Sequence, residues 1–165
     1  MSMICSLRQA DEAEIDQLLA DPEQIVDFLE EEAAESDGEI DLDKAWHGIH
    51  FLLTGSAWEG DAPLGYLIAG GEEIGDEDVG YGPARALRPG EVANFDAALA
   101  AISRDDFRRR FDPTVMMKQQ IYPEIWDRRP DDDDSLGYLT EYFEALKAFV
   151  HNSRGNNKGL IIWLS

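Results

Sequence analysis

His47 and His50 stand three residues apart in LDKAWHGIHFLLTG. On a helix that spacing sets two imidazoles on one side, where they can share a metal ion or divide acid and base work between them. Asp43 and Glu59 are the carboxylates that would complete such a ligand set. The glutamate of an H-E-x-x-H helix is missing, however, and His50 falls within the apolar arc made by Trp46, Ile49 and Leu53. A hydrogen-bonded core histidine is therefore the expectation, and no metal is assigned.

A second group lies in Gly70-Gly71-Glu72-Glu73 and in Gly80-Tyr81-Gly82-Pro83-Ala84-Arg85. These runs bring acids, a tyrosine and an arginine to the ends of two expected strands, where open α/β sheets commonly bind ligands. Neither is a phosphate loop or a dinucleotide fingerprint, so no cofactor is expected. The acidic runs Glu72 to Asp78 and Asp131 to Asp134 do not follow the twelve-residue calcium-loop pattern. Ser56, Ser103, Ser135 and Cys5 lack the local signature of an activated nucleophile. Arg104, Arg108, Arg109, Arg110, Arg128 and Arg129 are expected to pair with the chain's own carboxylates.

The charge is the strongest compositional signal. The chain carries -21 over 165 residues, and residues 1 to 43 hold 15 acids against one base, Arg8. Nucleic acid is a disfavoured partner, because phosphate contacts come from Lys and Arg. A basic protein partner fits that field, as for an immunity protein that neutralises a nuclease toxin. The alternative is a small-molecule-binding protein or enzyme with a pocket around His50, Glu72, Tyr81 and Arg85. A single cysteine rules out an internal disulfide and points to a reducing, cytoplasmic setting. The apolar runs LGYLIAGG and LIIWL are too short to span a bilayer. Oligomeric state is left open.

These side chains need a scaffold, and 44% apolar residues supply a core for one domain over residues 1–165. Met3 to Leu7 reads as a strand. Ile15, Leu18 and Leu19 are spaced for a helix, and Asp21-Pro22-Glu23-Gln24 reads as the capped start of another, with Asp27 and Glu30 to Glu32 on its polar side. A loop is expected around Ser36-Asp37-Gly38. Asp43 is then expected to cap a buried helix that ends at Gly55. LGYLIAGG and VGYGPARAL read as strands, with Gly70 to Asp78 a loop between them. Further helices start at Pro89, Ser103 and Asp112, and a long one after Asp134 carries Leu136, Leu139, Phe143, Leu146 and Val150. Leu160 to Leu164 closes the chain as a buried strand. The class is α/β, with α+β as its alternative: a central mixed sheet covered by helices, with strands at both termini.

Several segments, taken as a set and in order, resemble the YfbM-like family of small bacterial proteins, a domain of unknown function. They are MSMI, LDKAWHGIHFLLTG, PLGYLIAGGEEIG, GYGPARAL, IYPEIW and the C-terminal helix with its strand. The resemblance implies a three-layer α/β sandwich and no particular activity. Within the matching segments it marks Trp46, His50, Thr54, Gly71, Glu72, Tyr81, Arg85 and Tyr122 as the shared lining of a pocket. His47 is outside the pattern.

Overall fold

The computed structural model describes residues 2–31, 38–129 and 131–165. Strand β1 (Cys5–Ala10) leads into helices α1 (Glu12–Ala20) and α2 (Ile25–Glu30), then a short β2 (Glu39–Asp41) and the buried helix α3 (Trp46–Thr54). Strands β3 (Glu72–Glu73) and β4 (Arg85–Leu87) precede helices α4 (Pro89–Ala100), α5 (Arg104–Arg109), α6 (Pro113–Lys118) and α7 (Ser135–Gly155), and β5 (Gly159–Leu164) ends the chain.

The sheet order is β2-β1-β5-β4-β3, so the apolar C-terminal run lies at its centre. A strand buried on both faces reads as a continuous apolar stretch, which is why Leu160 to Leu164 was legible. β1 pairs with β5 from Cys5 opposite Leu164 to Ala10 opposite Gly159. The sheet was expected to be mixed, but all four pairings are antiparallel, which places the sandwich on the α+β side of the expectation.

Alternation along the strands divides the core in two. Cys5, Leu7, Leu87, Leu160 and Ile162 face a large cluster built with α3, α4, α5, α6 and α7. Ala10, Ala86 and Ile161 face a smaller one with Ile15, Leu18 and Ile25 of α1 and α2. Three layers result: two short helices, the sheet, and the larger helical layer. The stripe on α7 packs as its spacing requires, with Phe143 stacked on Phe107 at 4.0 Å between centroids.

Four local expectations are corrected. Residues 64 to 71 form turns instead of a strand: Gly65 N–H donates to the Asp61 carbonyl at 3.0 Å, and Ala69 N–H to the Gly65 carbonyl at 2.9 Å. Tyr66 and Leu67 are both buried there, and a short apolar run does not distinguish a buried turn from a strand. The second expected strand contracts to Arg85–Leu87 because Gly80 and Gly82 hold positive φ, and its hairpin partner, Glu72–Glu73, lies inside the expected loop. Asp43 does not cap α3. It sits at φ 48 and accepts from the Tyr138 hydroxyl at 2.7 Å, leaving Ala45 at the N-cap. The capping box falls at Asp11 and Glu14, while Asp21 to Gln24 form a 3-10 turn. Of the expected loop at Ser36-Asp37-Gly38, Ser36 and Asp37 lie outside the described residues.

Gly71 shows how tightly the β3–β4 edge is built. Its φ of +74 is left-handed, and an added Cβ would press on the Ala86 carbonyl. Gly71→Ala is expected to destabilise the protein by about 1–3 kcal/mol, measured by urea unfolding, with the conformational cost alone at the lower end. An unchanged midpoint would show that this edge relaxes freely.

Candidate functional site

The residues marked by the sequence divide among three places. The first is the buried face of α3. Trp46 Nε1–H donates to the Met3 carbonyl at 2.8 Å, and its ring stacks on Tyr122 at 5.8 Å and on His47 at 5.1 Å. Met3 N–H donates to the Tyr122 hydroxyl at 2.9 Å. His47 uses both ring nitrogens: Nε2–H donates to the Ala57 carbonyl at 2.7 Å, and Nδ1 accepts from Tyr122 N–H at 2.8 Å. One turn on, His50 Nε2–H donates to the Glu59 carbonyl at 2.9 Å, and the Thr54 hydroxyl donates to the His50 carbonyl at 2.9 Å.

Two histidines on one helix thus pin the loop that follows it, with His47 also holding the 121–123 turn. They are 0% and 1% exposed, and burial pushes both pKa values below the ordinary histidine value, partly offset by the carbonyl each donates to. His47 is therefore the Nε2–H tautomer, with no lone pair left for a metal. His50 Nδ1 is buried without a partner among the described residues. Trp58, 57% exposed and in a segment without a recognisable motif, packs with its ring centroid 4.3 Å from that of His47.

The second place is the β3–β4 edge. Arg85 donates from Nη1 to the Gly70 carbonyl at 2.9 Å and from Nη2 to the Tyr66 carbonyl at 2.8 Å, fixing its fork against the 64–71 turns. It shares a cavity of about 140 Å³ with Tyr81 and Glu73. Burial lowers the Arg85 pKa, partly offset by the nearby Glu73 carboxylate. Glu72 points elsewhere and accepts from Arg88 Nε at 3.1 Å in a clasp that also takes in Asp16 of α1. Gly71 serves the backbone approach already described. The structure joins Tyr81 with Arg85, His50 with Thr54, and Trp46 with Tyr122. His50 lines neither the Arg85 cavity nor the cavity over residues 53–64.

Cys5 is buried, which pushes its thiol up to about 12, so it is held protonated and unreactive. Of the clustered arginines, Arg109 and Arg128 meet Asp106 and Asp133 as expected, while Arg108 donates to the Thr140 hydroxyl and Arg110 to the Leu52 carbonyl.

The third place is the outer surface of α1 and α2. A cavity of about 400 Å³ between these helices has buried Leu18 and half-buried Phe28 in its lining, with the exposed carboxylates of Glu14, Asp27 and Glu31 around them. Gln17 and Gln24 join across it at 2.8 Å. Arg8 is turned inward, 5% exposed: it pairs with Glu39 at 2.8 Å and donates to the Phe28 and Glu31 carbonyls at the C-terminal end of α2. Among the described residues, Asp16 is the acid of α1 and α2 that forms an ion pair, with Arg88. Among the described residues, the other carboxylates of α1 and α2 form no ion pair.

The fold defines a three-layer sandwich domain, an antiparallel sheet between two helical layers. The chain belongs to the DUF1877 family, a domain of unknown function, whose family model matches residues 1–163. Its fold is similar to that of YfbM from Escherichia coli, described as a protein of unknown function, with a TM-score of 0.76 and 21% identity over 98% of this chain and 99% of that one. Among curated proteins nothing matches. No helix of the described residues is long and apolar enough to cross a membrane.

Proposed function

We propose that the protein is an interaction domain that receives a basic partner protein on the α1–α2 surface, in the manner of an immunity protein. The observation that carries this reading is the inward turn of Arg8. The one base among 15 acids of the first 43 residues is turned onto Glu39 and the α2 carbonyls, so it forms no ion pair with Glu14, Asp27 or Glu31 of the outer surface. The cleft between the helices adds shape, since carboxylates beside Leu18 and Phe28 suit the charged head and apolar stem of a lysine or arginine. Complementary charge of this kind speeds encounter and selects partners.

The test is capture on two immobilised variants. One neutralises the surface (Glu14→Gln, Asp27→Asn, Glu30→Gln, Glu31→Gln). The other removes equal charge elsewhere (Asp105→Asn, Asp131→Asn, Asp132→Asn, Glu141→Gln). A partner held by the native chain and the second variant, lost from the first and released by salt, supports the proposal. Equal recovery on both variants contradicts it.

A further inference from the structure

Glu73 and Arg85 are register partners on the β3–β4 hairpin, so their side chains emerge on one face with Cβ atoms about 5 Å apart. Opposite charges so placed ordinarily close on each other. Here they do not: the Arg85 fork is held on the Tyr66 and Gly70 carbonyls, and among the described residues neither Glu73 nor Arg85 forms an ion pair. Both instead line the cavity of about 140 Å³, with Tyr81 at its mouth, 38% exposed, and Leu67, Ile68 and Ile162 along its wall.

We propose that this cavity binds a small zwitterion, a free α-amino acid with a hydrogen or methyl side chain. The cavity is small, about 140 Å³, which suits an amino acid with little or no side chain. The α-carboxylate meets the N–H groups of Arg85 not used on the two carbonyls, and the α-ammonium meets the Glu73 carboxylate, both as charge-assisted hydrogen bonds. The ligand thereby completes the cross-strand pair through itself. Arg85 needs no movement to bind, because its fork is already fixed. The apolar wall of Leu67, Ile68 and Ile162 can receive a methyl group in place of the α-hydrogen. The site lies on the sheet face opposite α1 and α2, as the alternation of Ala86 with Arg85 and Leu87 requires, and is independent of the partner surface.

Calorimetric titration of the full chain with glycine, alanine, leucine, acetate and methylammonium tests this. Glycine and alanine are expected to bind at least tenfold more tightly than acetate, methylammonium or leucine. Glu73→Gln is expected to weaken glycine roughly tenfold while leaving acetate unchanged, and Arg85→Met to abolish binding of glycine and acetate alike. Because Arg85 also ties the 64–71 turns, Glu73→Gln carries the decision, since among the described residues the Glu73 carboxylate forms no ion pair. No glycine or alanine binding would overturn the proposal, as would acetate bound as tightly as glycine and both indifferent to Glu73→Gln.

Discussion

Acidifying the protein from pH 7 to pH 5.5 will lower its folding stability steeply, and the loss will trace to His47 and His50. Both are buried and neutral, with folded-state pKa values below the ordinary histidine value, chiefly through desolvation. The unfolded chain therefore takes up protons first as pH falls through about 6.5. The sign follows from linkage: stability is fully present above the unfolded value and declines as pH falls towards the folded values, at up to about 1.4 kcal/mol per pH unit for each histidine. Geometry gives the same direction. A proton on His47 Nδ1 would oppose Tyr122 N–H, and one on His50 Nδ1 would put a donor where no acceptor is found among the described residues. Urea unfolding across this range will show the slope, and His47→Gln with His50→Gln will flatten it. A profile flat between pH 7 and 5.5 would contradict the assignment.

Replacing Arg8 by methionine is expected to cost about 3 kcal/mol and to lower the melting temperature by about 6–12 °C. The change removes the pair with Glu39 and strands the Phe28 and Glu31 carbonyls that the guanidinium caps. It also removes the cation resting 5.1 Å from the Phe28 ring centroid. The methionine stem fills part of the space, so the loss measures the polar contacts more than packing. The consequence reaches function, because the same residue anchors the helix that bears Asp27 and is followed at its C-cap by Glu31. Arg8→Met is expected to weaken partner capture even though it makes the surface more negative. A loss below about 1 kcal/mol would show that α2 is held by its apolar face alone.

Elements with strong periodicity were readable from the chain. Of the expected stripe, Leu139, Phe143, Leu146 and Val150 are buried while Leu136 is only half-buried, and the Ser103 and Asp112 caps and the central apolar strand appear where spacing placed them. The segments that misled were those where two structures share one local pattern. Residues 64 to 71 are apolar because they seat Tyr66 and Leu67 in the core, and that demand looks like a strand's. Two-residue β3 is set by its partner Ala86–Arg85 and carries no pattern of its own. The site divides similarly. His50 as a hydrogen-bonded core residue was visible in its apolar neighbours, and the structure gives it the Glu59 carbonyl. His47, which lay outside the family pattern, proves the more fully bonded of the two. Glu73 rather than Glu72 faces Arg85, a distinction set by hairpin register, since one residue's shift exchanges the two faces of a strand.

Hydrogen exchange on the complex captured through the native chain addresses the partner surface most directly. Slowed exchange is expected across residues 12–30, the span of α1 and α2, with β3, β4 and the backbone around the Arg85 cavity unchanged. Protection confined to the loop bearing Trp58 or to α7, with residues 12–30 exchanging as in the free protein, would contradict it.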